Sequence, residues 1–156
     1  ARLVLSGGPE GKVTITATLG RDDQDLQCVW DAHDLGPRAH TFYLMNHVSA
    51  MAKPDMLVAP AKSGLVRLNR GHRAFEPAEL AAPWVAVQSQ EGQEVLGVVY
   101  DVPTLKTLTL RHGGGGSNYL LFEPQVAPPG RMTFRLTARQ GDAEAVAAWA
   151  AKLPER

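Results

Sequence analysis

Histidine is the commonest transition-metal ligand and the one side chain that ordinarily titrates near neutral pH. Three of the chain's five histidines, His33, His40 and His47, fall in one stretch, WDAHDLGPRAHTFYLMNH, residues 30–47. Read as a hairpin turning on Asp34-Leu35-Gly36-Pro37-Arg38, residues 26–33 run against residues 40–48. With His33 opposite His40, Asp31 falls across from Phe42 and Val29 across from Leu44. Directly opposed residues have Cβ atoms about 5 Å apart. Two imidazoles could then share one metal, with Asp31 placed to orient one of them or to bind. His47 comes seven residues after His40, and an odd spacing sets it on the other face of a regular strand. A bulge or a bend would be needed to bring it in. His112 ends a later strand, just before Gly113-Gly114-Gly115-Gly116, and could approach from there. His72, in Asn69-Arg70-Gly71-His72-Arg73, reads as an exposed loop residue.

An all-imidazole site favours copper, with zinc as second choice. Met45, Met51 and Met56 flank His47 and could add thioether ligands for Cu(I), though methionine also fills cores. Other chemistry finds little support. The serines sit in no Gly-x-Ser-x-Gly elbow. The tetraglycine run is followed by a strand pattern rather than by Lys-Ser/Thr and a helix, so it is a hairpin loop and not a phosphate cradle. Asp22, Asp23 and Asp25 form a turn cluster without EF-hand spacing. The lone cysteine, Cys28, sits among Leu26, Val29 and Trp30 and reads as a buried structural thiol.

The elements that must hold these residues follow a period of two. In residues 12–19, KVTITATL, Val13, Ile15, Ala17 and Leu19 share one face, and Thr14, Thr16 and Thr18 the other, the pattern of a half-buried strand. Residues 131–138, RMTFRLTA, set Met132, Phe134 and Leu136 inward and Arg131, Thr133 and Arg135 outward. Residues 105–111, LKTLTLR, repeat the alternation more weakly. Continuous apolar runs at 26–30, 42–45, 84–87, 95–100 and 119–122 fit strands covered on both faces. Shorter candidates are 3–5, 56–59 and 65–68. Gly-Pro, Gly-Arg-Asp-Asp and Pro-Pro-Gly clusters punctuate them. So many short strands imply an all-β chain, a two-sheet antiparallel β-sandwich, in a single domain spanning residues 1–156. One short C-terminal helix is expected at about 142–153, with Asp142 as N-cap, Glu144 in the first turn and Pro154 as the stop. Val146, Trp149 and Leu153 share its apolar side, which is expected to lie on the sheet edge, with docking onto a partner as the alternative.

The chain has 156 residues, 44% of them hydrophobic and 21% charged, with sixteen basic residues balancing sixteen acidic ones. Zero net charge and no basic cluster argue against nucleic acid as the partner. No apolar run approaches the roughly 20 residues that span a bilayer, so no transmembrane segment is expected. The single cysteine and the start at Ala1 are compatible with a processed, extracytoplasmic protein: secreted, periplasmic or on the cell surface.

Two resemblances add to this reading. Leu120-Leu121-Phe122-Glu123-Pro124, then Ala127-Pro128-Pro129-Gly130 and the strand RMTFRLTA, resemble the closing strands of galactose-mutarotase-like sandwiches. There a strand running into Glu-Pro is followed by Pro-Gly and a final strand, and Asn46-His47 is similar to an Asn-His pair of those sandwiches. The resemblance covers the C-terminal third of the chain, and the family's sandwich is longer than this one. It implies a sugar-binding groove with aromatics such as Trp30, Trp84, Tyr43 and Tyr100, and Glu123 as a base. At the level of class and residue type alone, histidines on a β-sandwich resemble the copper superoxide dismutases. The chain lacks that family's copper-anchoring His-x-His pair and its paired cysteines.

Three functions stay open. The working reading is an extracytoplasmic metal-binding module, copper preferred, with superoxide dismutase-like activity if it is an enzyme, built on His33, His40, His47 and His112. The second is a structural accessory subunit of a cell-envelope complex, with a protein partner and no catalysis. The third is a mutarotase-like carbohydrate-binding domain.

Overall fold

In the computed structural model the described residues are 1–7, 13–20, 24–32, 41–46, 55–113, 117–125 and 131–154. Among these residues twelve strands run in chain order: β1 Arg2–Gly7, β2 Val13–Thr18, β3 Asp25–Asp31, β4 Phe42–Asn46, β5 Met56–Ala61, β6 Gly64–Leu68, β7 Gly71–Phe75, β8 Trp84–Gln88, β9 Glu94–Tyr100, β10 Leu105–His112, β11 Asn118–Pro124 and β12 Arg131–Gln140. One helix, α1 Ala143–Ala150, follows. The strands form two antiparallel sheets, a large one ordered β1-β2-β3-β12-β9-β8-β5-β6 and a small one ordered β4-β11-β10-β7. The all-β sandwich read from the alternation is the fold. Among the described residues, no helix is long and apolar enough to cross a membrane.

The alternation decides what each sheet buries. Met132 and Phe134 of β12, Val98 and Tyr100 of β9, and Val85 and Val87 of β8 point from the large sheet into the core. Leu108 and Leu110 of β10 and Leu120 and Phe122 of β11 meet them from the small sheet. Aromatic rings tie the layers: Phe122 meets Phe134 at 4.8 Å between centroids, Trp30 meets Phe42 at 5.1 Å, and Tyr100 meets Phe122 at 5.5 Å. Such edge-on and tilted pairs add roughly 0.5–1.5 kcal/mol beyond area burial.

The outer face of the large sheet has its own apolar layer, because α1 lies on it. Ala143, Val146 and Trp149 bury against Val58, Trp84, Ala86 and Val95. Asp142 caps the helix as expected, its side chain accepting from the Glu144 N–H. The helix docks on the central strands β8 and β9, not on the sheet edge the sequence suggested. Those strands are apolar on both faces and must be covered twice, which explains their unbroken hydrophobic runs. Gly97 makes the close approach: a Cβ there would stand 2.8 and 2.9 Å from the two Val146 methyls.

Two further expectations need correction. His72 is exposed as expected, but its segment is a strand, β7, paired with β10 at the edge of the small sheet. The β3–β4 hairpin is also absent. Asp31 pairs with Thr14 and Arg131, and Val29 with Thr16 and Thr133, all within the large sheet. Phe42 pairs with Phe122 and Leu44 with Leu120, in the small one. The two segments face each other across the core through Trp30 and Phe42. Pairing in separate sheets gives β3 ladder partners on both sides, in β2 and β12, and lets Phe42 bury to 5% exposure against a half-buried Trp30.

Candidate functional site: the outer face of the small sheet

Each strand of the small sheet spends alternate residues on the core and the others outward. On β11 the outward set is Tyr119, Leu121 and Glu123, and on β10 it is Thr107, Thr109 and Arg111. His72 and Ala74 join them from β7, since Arg111 pairs with His72 and Thr109 with Ala74. Tyr43 joins from β4, opposite Leu121. A shallow cavity of about 380 Å³ opens on this face, lined by Thr41, His72, Thr107, Thr109, Arg111, Leu121 and Glu123.

At one end the β10–β11 register shifts between Leu105 and Thr107. The extra residue of this bulge is Lys106, whose Nζ donates to Glu123 Oε1 at 2.8 Å. Bulges re-aim side chains next to functional sites, and here one brings a cation onto the Glu123 carboxylate that lines the cavity. At the other end the Arg111 guanidinium lies 5.9 Å over the Tyr119 ring. Tyr119 in turn sits tight against the turn: a Cβ at Gly113 would fall 2.7 Å from its Cε2. Gly113 also closes the β10–β11 hairpin, its N–H donating to the Ser117 carbonyl at 2.7 Å. The face thus carries hydroxyls, a carboxylate, an imidazole, a guanidinium and aromatic rings.

Of the residues picked from sequence, Glu123 lies in this cavity and Tyr43 beside it, 57% exposed. Trp30, Trp84 and Tyr100 do not line it. Trp30 and Tyr100 pack in the main core and Trp84 lies beneath α1. Sequence reasoning missed Thr107, Thr109, Arg111, Tyr119 and His72. The signal was there in the Thr-x-Thr-x-Arg alternation of β10, but alternation alone does not say which face stays open.

Of the candidate metal ligands, His33, His40 and His47 lie outside the described residues. The register that was to set His33 opposite His40 is absent on its described side, where Asp31 and Phe42 belong to different sheets. His112 ends β10 as expected. Its Nδ1 stands 3.2 Å from the Gly113 carbonyl, the arrangement of a donating N–H, and its Nε2 is buried without a hydrogen-bond partner among the described residues. Its register partner Asn118 is buried and donates to Asp55 Oδ2 at 2.6 Å. Among the described residues, no group of three or more His, Cys, Asp or Glu is arranged to hold a metal. Met56 packs under α1. Cys28 is buried, and burial raises its thiol pKa above the ordinary range.

No protein-family model matches the sequence, and no curated protein matches it. Solved structures do resemble it in fold. The GalNAc complex of the α-N-acetylgalactosaminidase NagBb from Bifidobacterium bifidum superposes with a TM-score of 0.63 at 15% identity, over 94% of this chain and 27% of that one. Its ligand-free form gives 0.61 at 13% identity, over 88% and 24%. The Slr1438 protein of Synechocystis sp. PCC 6803 gives 0.47 at 16% identity, over 88% of this chain and 60% of that one. The chain therefore spans about a quarter of the N-acetylgalactosaminidase and three-fifths of the Synechocystis protein. The likeness to the N-acetylgalactosaminidase is one of fold alone.

Proposed function

We propose that the chain is a mutarotase-like carbohydrate-binding β-sandwich domain that takes its sugar on the outer face of the small sheet. One observation carries this reading. Glu123, the residue marked by the mutarotase resemblance, stands in a cavity with Thr107, Thr109, His72 and Arg111, and Tyr43 and Tyr119 flank it on the same face. Hydroxyl and carboxylate groups can pair with sugar hydroxyls, and ring faces can cover the apolar side of a pyranose. Fold likeness to an α-N-acetylgalactosaminidase supports it. The metal reading has lost the strand pairing on which its geometry was built.

Calorimetric titration with a panel of mono- and disaccharides at millimolar concentration tests the reading. Binding should appear for some of them, and should be lost in Glu123→Gln and weakened in Tyr43→Ala, with melting temperatures unchanged. It should survive a chelator. A folded protein that binds none of the panel overturns the proposal. Trp84 and Trp149 lie on the α1 side of the large sheet, so a tryptophan fluorescence change on binding would report Trp30, which borders Thr41 and Tyr43.

A further inference from the structure

The two ends of the cavity differ in charge. At the bulge end, the Glu123 carboxylate is already matched by Lys106 at 2.8 Å. At the turn end, Arg111 and His72 are register partners on the same face and both are exposed. Cβ atoms of directly opposed residues lie about 5 Å apart, so the two heads can converge on one group. The Arg111 guanidinium rests over Tyr119 and, among the described residues, has no carboxylate partner. An arginine whose only described contact is a ring at 5.9 Å keeps its donor fork for an incoming anion. Glu123 and Tyr119, which pairs with Arg111, stand four residues apart on β11, a rise of about 13 Å. That is longer than one pyranose ring. It suits a ring beside Glu123 that carries an anionic group on a pendant arm or on a second ring.

We propose that the ligand of this face is an acidic saccharide, whose carboxylate or phosphate is received by Arg111 with His72 beside it. This rests on the carbohydrate reading above and goes beyond it. The neutral part of the sugar lies over Thr107 and Thr109, and the charge of the ligand selects the Arg111 end. Arg111 is then the residue that separates acidic from neutral sugars.

The test is a titration of the whole chain with three probes: glucose 6-phosphate, a digalacturonate and uncharged cellobiose. Each is measured on the wild type, Arg111→Gln and Arg111→Lys. At least one acidic probe should bind about tenfold more tightly than cellobiose, the size of one charge-assisted contact. That preference should vanish in Arg111→Gln, return in part in Arg111→Lys, and weaken with added salt. Which acidic probe binds tells phosphate from carboxylate. Cellobiose binding as tightly as the acidic probes overturns this inference and leaves the carbohydrate reading intact. An acidic preference unchanged in Arg111→Gln also overturns it, since the anion then sits elsewhere. A folded protein that binds no probe and no sugar of the wider panel overturns both.

Discussion

Trp149 Nε1 donates a 2.7 Å hydrogen bond to Asp25 Oδ2, tying the C-terminal helix to a strand 124 residues earlier. Arg139 completes the cluster: its Nη2 reaches the other oxygen of Asp25 at 3.3 Å, and its guanidinium lies 5.5 Å from the Trp149 ring. The indole is 7% exposed, so it supplies apolar contact and a satisfied polar edge together. Trp149→Phe keeps most of the contact and strands the Asp25 acceptor. It should cost about 1–3 kcal/mol, against about 3–5 kcal/mol for Trp149→Ala. Urea denaturation of the two variants measures the difference, and equal losses would show that the hydrogen bond contributes nothing beyond packing.

Gly97 sets how closely the helix can lie. A Cβ at this position meets both Val146 methyls at under 3.0 Å, and Thr137 Cγ2 at 3.1 Å. Val146 is fully buried and cannot swing aside. Gly97→Ala should therefore destabilise the fold by about 1–3 kcal/mol, as overpacking does. Adding Val146→Ala removes the clashing methyls, so the double variant should lose less than the two single losses together. Strict additivity in a denaturation cycle would show that the helix does not press on Gly97.

These two contacts mark where the sequence was legible. The N-cap at Asp142 and the spacing of Val146 and Trp149 fixed the helix. The alternation in 131–138 put Met132 and Phe134 in the core, where they are. Strand pairing was not legible, because alternation gives a strand its two faces but names no neighbour. The segments on either side of 33–40 read as one hairpin, and they end in opposite sheets. β7 escaped notice because Gly71, His72, Arg73 and Ala74 are all exposed and only Phe75 is buried. The open face of the small sheet was invisible for a related reason. Thr107, Thr109 and Arg111 are plain polar alternation until the layers show that nothing described covers them. Glu123 was reached only through the Glu-Pro and Pro-Gly resemblance.

Tyr100 carries a stored cost. Its ring packs between Phe122 and the rest of the core at 3% exposure, and its hydroxyl is buried with no hydrogen-bond partner among the described residues. Burial holds its pKa well above the ordinary tyrosine value. The sign follows. Below the ordinary value both states are protonated, and Tyr100 contributes its full stability. As pH rises past it, the unfolded chain loses the proton first, so stability falls with increasing alkalinity. Tyr100→Phe removes both the unsatisfied hydroxyl and the titration. At neutral pH it should be neutral or stabilising, by up to about 1–3 kcal/mol. It should also flatten the alkaline fall in denaturation midpoint. A variant less stable than the wild type at neutral pH would mean that the hydroxyl has a partner after all.

Cys28 should be inert in the folded chain. It is 6% exposed on the inner face of β3, and burial raises its pKa. The thiolate is the reactive form, so both burial and protonation slow attack on a disulfide reagent. Labelling should track unfolding, complete within the dead time in denaturant and limited by opening in buffer. Rapid stoichiometric labelling of the native protein would place the thiol at the surface.

Phe42 and Tyr43 are neighbours with opposite duties. Phe42 points inward at 5% exposure and meets Trp30 edge-on, while Tyr43 points outward at 57% exposure beside the candidate site. Strand parity requires that no single substitution serve both roles. Phe42→Ala should cost about 3–5 kcal/mol through the cavity it leaves between the sheets. Tyr43→Ala removes an exposed ring and should change stability by no more than about 0.5 kcal/mol. If the outer face binds sugar, Tyr43→Ala lowers affinity about tenfold for the loss of one ring contact, while the melting temperature stays put. A Tyr43 variant that melts early but binds normally would reverse the assignment of the two faces, and with it the location of the site.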